Sequence, residues 1–345
     1  MPDGNLPLTD THISLAHGNG GRFMRELIEA IFRRHLGAPD GERPLDTDAD
    51  AVRLPDLDGP VYTTVDGFAV HPIEFPGGDI GSLAVHGTVN DLSVAGAIPR
   101  YLTLSAFLEE GLDVEVLDRV VASLARAADA AGVRVVAGDT KVVPRGHGGG
   151  IYFSVAGIGV GDPGLALGMD RIRPGDAILV SGPVGDHGTA VMLAREAFGL
   201  HGDVRSDCAS VFPLAQTLSG INGIRFLRDP TRGGLATVMH EIARATGLRV
   251  ELEEGAIPVN DAVRSVCEIL GYDPLYLACE GRCVAVVARE IAAHALARWQ
   301  DLDEGRHAAL IGHVGAGRAE AILNTPIGGQ RRLEELEDDP LPRIC

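Results

Sequence analysis

Strand-like and helix-like patterns alternate along almost the whole chain, and the alternation starts afresh once, near the middle. In the first half a glycine-rich stretch, "SLAHGNGGR", leads into an apolar run with Phe23, Leu27, Ile28, Ile31 and Phe32 at helical spacing, closed by Gly37. "GPVYTTVDGFAVHPIEF" reads as a strand. "GSLAVHGTVNDLSVAGAIPRYLTLSAFLEEG" reads as a helix and then a strand, and so does "DVEVLDRVVASLARAADAAGVRVVAGDTKVV". "GIYFSVAGIGVG" is a further strand. Between Gly161 and Arg173 the pattern restarts with a turn and a buried strand, "RPGDAILVSG". Helices at "GTAVMLAREAFG", "VFPLAQTLSG", "GLATVMHEIARATG", "DAVRSVCEILG" and "IAAHALARWQ" then alternate with strands at "RVELEEG" and "RCVAVVARE". Such alternation predicts two α/β units. The 345 residues divide into 1–165, 166–327 and a charged stretch from Gly328 that reads as a mobile tail, 328–345.

Composition narrows the function classes. Net charge is -18, which disfavours nucleic acid and anionic membranes as partners. No run of about 18 apolar residues suggests a membrane span, and "MPDGNLPLTD" lacks the marks of a secretory signal. The five cysteines, Cys208, Cys267, Cys279, Cys283 and Cys345, are odd in number and scattered. They fit free thiols in a reducing cytosol.

Four polar clusters sit in loops beside strands: "TTVDGF" with Asp66, "GTVNDLSVAGA" with Asn90 and Asp91, "AGDTKVV" with Asp139 and Lys141, and "RDPTRGG" with Asp229 and Arg232. "LDTDADAV" adds Asp46, Asp48 and Asp50. Carboxylates and amides at strand ends are hard oxygen ligands suited to Mg²⁺, which usually travels with phosphates. Lys141 adds a point charge for phosphate oxygens. Gly18, Gly20 and Gly21 belong to a stretch whose N–H groups can wrap a polyphosphate. There is no P-loop and no dinucleotide fingerprint. Each cluster also has a plainer reading. A lone Asp-Gly is most often a turn, Asp139 and Lys141 can be a surface pair, and Asp229 can cap a helix that starts at Pro230.

"ACEGRC" spaces Cys279 and Cys283 too loosely for a zinc fingerprint and favours buried thiols. Glu280 between them stands at a loop–strand junction where a carboxylate can face a cleft. His187, in "GPVGDHGTAVM", lies where a strand gives way to a helix. The chain closes on "LEDDPLPRIC", with Cys345 last and Arg343 two places before it.

The stretches "LAHGNGGR", "TTVDGFAVHPIEFPGGDIG", "GTVNDLSVAGAIPRYL", "EEGL", "AGDTKVV", "SGPVGDHGTAVM", "RDPTRGGLA", "CEGR" and the final "PRIC" span nearly the whole chain. In that order they resemble the HypE family of hydrogenase maturation proteins, in the superfamily of aminoimidazole ribonucleotide synthetase and selenophosphate synthetase. The resemblance implies two α/β (α+β) domains, with a mixed, mostly antiparallel N-terminal sheet that pairs with its copy into a homodimer barrel. It implies a carbamoyl dehydratase reaction: a HypF carbamoyltransferase loads Cys345, the tail enters an ATP and Mg²⁺ site, and dehydration leaves a thiocyanate. The cyanide then passes to iron on a HypC–HypD scaffold for a nickel–iron hydrogenase.

By the same resemblance, Asp66, Asp91 and Asp229 hold Mg²⁺, while Asn90, Asp139 and Lys141 hold or polarise phosphate. Glu280 is the base, with its pKa raised by burial, and His187 lies close to the phosphates. The acidic loop offers Asp50 or Asp48 to the nucleotide, and Arg232 joins the same site. Two other readings remain open: a small-molecule ATP-dependent enzyme of the same superfamily, and a thiol carrier of metal or sulfur using Cys279, Cys283 and Cys345.

Overall fold

The structure is a computed structural model describing residues 8, 10–37, 51–195 and 203–337. Asp46, Asp48, Asp50, Arg343 and Cys345 lie outside the described residues. The expected first helix is α1 (Arg22–Leu27) and α2 (Arg34–Leu36), joined by a π-helical stretch, Ile28–Arg33. Then come β1 (Val61–Phe68), a small hairpin of β2 (Glu74–Phe75) and β3 (Gly78–Asp79), and α3 (Ile80–Val94). Asp79 caps α3 by accepting from the N–H groups of Gly81 and Ser82. β4 (Ala97–Glu109), α4 (Val114–Ala131), β5 (Arg134–Val143) and β6 (Ile151–Gly161) complete the first half.

The sheet order is β1-β6-β4-β5. β6 is antiparallel to both neighbours, and β4 and β5 are parallel because α4 crosses between them. Alternation along each strand separates two faces. Leu102, Leu104, Ala106 and Leu108 of β4, with Ile151, Phe153 and Val155 of β6, are buried in one cluster with residues of α3 and α4. The other face is open. Val65 is 70 % exposed there, and Val61 and Phe107 are exposed as well.

The second half contains β7 (Ala177–Val180), α5 (Asp186–Arg195), α6 (Phe212–Gln216), β8 (Ile224–Arg228), α7 (Gly234–Thr246), β9 (Arg249–Glu253), α8 (Asp261–Leu270), β10 (Val284–Val287), α9 (Ala292–Gln300), β11 (Ala309–Gly315), β12 (Glu320–Asn324) and β13 (Gln330–Arg332). The sheet order is β13-β12-β9-β11-β7-β10-β8, antiparallel except for β12 beside β9. One apolar cluster joins α7 to β9 and β11, and another joins α6 and α9 to β8 and β10.

Two features depart from the sequence reading. Ala190, Val191 and Met192 of α5, with Val263, Val266 and Cys267 of α8, belong to the same buried cluster as Leu27, Leu83 and Phe153. The two halves therefore share a core. Second, the stretch read as a mobile tail from Gly328 begins as structure. β13 pairs with β12, Leu333 is fully buried, and residues through Glu337 are described. No helix among the described residues is long and apolar enough to cross a membrane.

Candidate active site

Asp66 sits near the end of β1 on the face covered by α3, in register with the buried Val155. Asp91 lies on α3 and accepts a hydrogen bond from the Thr64 hydroxyl at 2.8 Å. Asp229 follows β8, and Glu280 precedes β10. These carboxylates feel one another. Burial raises the Asp66 pKa; the Gly67 N–H opposes that, and Asp91 adds to it. Asp229 is pushed up to about 7 by burial and then by Asp91. Glu280, only 2 % exposed, is driven well above its ordinary value by burial and then by Asp229, Asp207, Asp66 and Asp91. Its Oε1 is buried with no hydrogen-bond partner.

A cluster of repelling carboxylates with an unsatisfied oxygen calls for positive charge. The donors are hard oxygens, which fit a small divalent cation. Among the described residues no three His, Cys, Asp or Glu side chains form a metal site by themselves. A cation here must take its remaining ligands from water or from a phosphate-bearing substrate, the usual habit of Mg²⁺.

The Glu280 backbone is held from both sides. The Asn90 Nδ2 donates to the Glu280 carbonyl at 3.1 Å and to the Ala209 carbonyl at 3.1 Å, while its Oδ1 accepts from the Val211 N–H at 2.8 Å. Asn90 was expected to hold phosphate. Its buried amide instead braces the chain around Glu280. Asp207, which the sequence reading missed, accepts from the N–H groups of Glu280 and Gly281, both at 3.2 Å. Arg282 lies 3.6 Å from Asp207 and 3.4 Å from Asp186, and Asp186 also accepts from Asn260. A Cβ on Gly281 would stand 1.8 Å from the Asp207 carbonyl oxygen, so no side chain fits there.

Asp229 does not cap a helix. α7 starts at Gly234 after the left-handed Gly233, four residues later, which leaves the Asp229 carboxyl to the cluster. Arg232, exposed in that turn, counters the rise at Asp66 and so belongs to the same group.

Asp139 and Lys141 are elsewhere. They pair at 2.9 Å on β5, on the open face of the sheet. β5 is the edge strand opposite β1. Strands about 4.8 Å apart and a change of face thus separate them from Asp66 within one protomer. The glycine stretch is with them: a Cβ on Gly18 would come within 2.8 Å of Val142. The Gly20 and Gly21 N–H groups are turned to Met24 Sδ and Asn19 Oδ1.

His187 is fully buried at the start of α5, with Nδ1 2.8 Å from the Ser206 hydroxyl and its ring edge-on to Phe75. It packs the Ser206 segment and offers no open surface to phosphate. Cys279 and Cys283 are fully buried, and burial raises both thiol pKa values, which disfavours the thiolate form.

Residues 46–161 match the family profile for AIR synthase related protein, N-terminal domain, and residues 173–323 match its C-terminal domain. Carbamoyl dehydratase HypE of Azotobacter vinelandii is 45% identical over 342 residues, covering 99% of each chain. A crystal structure of hydrogenase maturation protein HypE in complex with ATP superposes with a TM-score of 0.90 at 47% identity, covering 96% of this chain and 99% of that one. The crystal structure of a HypE–HypF complex gives 0.78 at 43% identity, covering 80% of this chain and 90% of that one. With two AIR synthase-related domains in sequence and full-length identity at this level, the chain belongs to the HypE family of hydrogenase maturation proteins.

Proposed function

We propose that this chain is an ATP-dependent carbamoyl dehydratase acting on a thiocarboxamide carried by its own Cys345. A HypF-type carbamoyltransferase loads the sulfur. The amide oxygen then attacks the γ-phosphorus of ATP and ADP leaves. An amide oxygen is a poor leaving group, and phosphorylation makes it a good one. Loss of one N–H proton gives an O-phosphoryl imidate; loss of the second, with departure of phosphate, gives the thiocyanate. Such transfer needs positioning and charge neutralisation more than covalent help.

The role of each residue follows from its surroundings. Asp66, Asp91 and Asp229 would hold Mg²⁺, which neutralises charge on the phosphates when bound. Glu280 would accept the amide protons. A carboxyl that burial and, after it, repulsion keep protonated cannot do so, and a cation among its neighbours would offset the repulsive part. Base activation is thereby tied to nucleotide loading. The buried, unpartnered Oε1 of Glu280 is the observation that carries this assignment.

A homodimer accounts for the two separated groups. The open face bearing Val61, Val65 and Phe107 is what a second copy would cover, and Asp139 and Lys141 stand on that face. In this reading residues 1–165 bind nucleotide and dimerise, 166–327 close the site, and the end of the chain delivers the sulfur. A HypC–HypD iron scaffold in the cytoplasm is the acceptor. Incubation with a carbamoylating partner, carbamoyl phosphate and ATP, followed by intact-mass measurement, tests the function. One carbamoyl group should be gained and then one water lost. A Cys345→Ala chain that still shows either step overturns the reading.

A further inference from the structure

The residues just before the terminal segment are gripped one after another. β13 pairs with β12, Gln330 opposite Asn324 and Arg332 opposite Ile322. Arg331 donates to Asp273 at 2.8 Å and lies 3.9 Å from Glu254. Leu333 is buried, and its N–H donates to the Ala321 carbonyl. The Tyr276 hydroxyl donates to the Glu334 carbonyl at 2.8 Å. Arg244 pairs with Glu335 at 3.2 Å. Leu336 reaches Gly233, where a Cβ would lie 3.3 Å from its Cδ1. Glu334–Glu337 line one cavity of about 290 Å³ with Gly271, Tyr272, Asp273, Tyr276 and Leu277.

The grip leads the chain to the carboxylates. Gly233 is four residues beyond Asp229, and Tyr276 is four before Glu280. Four residues span at most about 14 Å, and the eight that follow Glu337 span at most about 29 Å. We propose that this clamp, centred on the Arg331–Asp273 and Tyr276–Glu334 bonds, is a positioning device. It fixes the root of the carrier segment beside the Asp229–Gly233 turn, so that eight residues alone measure the path of Cys345 to Glu280. The proposal rests on the carrier reading above. With the root released to Gly328, seventeen residues would follow it. The effective concentration of the sulfur at the site would fall about threefold, as the -3/2 power of length.

The test uses the full chain carbamoylated on Cys345, with single-turnover water loss followed by intact mass. The released variant is Tyr276→Phe/Arg331→Ala/Leu333→Ala; the pair without Leu333→Ala, which leaves the core untouched, is run beside it. ATP binding at wild-type affinity shows that each is folded. Both should load normally, and the triple variant should lose water about threefold more slowly. Deleting residues 338–341 from the otherwise unaltered chain should slow water loss about tenfold or more. The same deletion in the released variant should be faster than in the unaltered chain, because residues 329–337 return the missing length. A deletion without effect, or one that release does not relieve, overturns the clamp. If the unaltered chain loads but never loses water with ATP, the carrier reading itself falls, and that result appears without any substitution.

Discussion

The side-chain amide of Asn90 donates to the main-chain carbonyl of Glu280 at 3.1 Å, tying α3 of the first half to the loop before β10 in the second. An asparagine that sequence would assign to phosphate thus acts on the position of a carboxylate.

Asn90→Ala removes that bond and two more, leaving the Ala209 carbonyl and the Val211 N–H without this partner and the Glu280 carbonyl with only the Ala209 N–H at 3.4 Å. Each orphaned group costs about 1–3 kcal/mol. We expect a loss of roughly 2–4 kcal/mol in denaturant unfolding after partial relaxation. ATP binding should change less than the rate of water loss; the opposite split would restore a phosphate role.

Glu280→Gln keeps the shape and removes the proposed base. Loading of Cys345 should be unaffected, and the water-loss step should slow by about 10²–10⁴. Mass spectrometry would then show the carbamoylated chain accumulating in the presence of ATP. Thiocyanate formed at the wild-type rate would remove Glu280 from the mechanism.

Asp229 gives the cation-free protein an unusual pH response. Its pKa rises from 3.8 unfolded to about 7 folded, so the folded chain binds the extra proton. Stability is therefore highest below about pH 4 on this account and falls as pH climbs towards 7. Asp66 and Glu280 shift in the same direction. Thermal melts without Mg²⁺ should show this decline, and Asp229→Asn should flatten it. Mg²⁺ with nucleotide should stabilise more at pH 8 than at pH 5.

The separation of Lys141 from Glu280 by the sheet yields a mixing experiment. Lys141→Ala and Glu280→Gln chains should each be nearly inactive alone. After subunit exchange, an equal mixture should recover about a quarter of wild-type turnover, since in the proposed homodimer half the dimers are mixed and each holds one intact site. No recovery would place both residues in one protomer's site. Val65→Lys, on the open face, should give a folded monomer by light scattering.

Much of this was legible in the chain itself. The alternating patterns placed β1, α3, β4, α4, β5 and β6. The polar clusters singled out Asp66, Asp91 and Asp229, and "ACEGRC" singled out Glu280; these carboxylates influence one another in the fold. The missed elements had weak signals. β11 is broken by Gly312 and Gly315, and β13 is Gln-Arg-Arg, exposed throughout, so neither alternates. Asp207 lies in irregular chain, and its role comes from a contact 73 positions away that no local pattern announces. The opposite facing of Lys141 and Asp66 depends on strand order, which periodicity cannot supply.

The shared core has a bearing on ancestry. Because α5 and α8 bury their apolar sides among residues of the first half, neither half presents a finished surface at the seam. Splicing either one onto a cousin from a sister enzyme would set mismatched shapes against each other. Lineages of this architecture should therefore diverge by reshaping loops, while the pair of halves is inherited as a matched set.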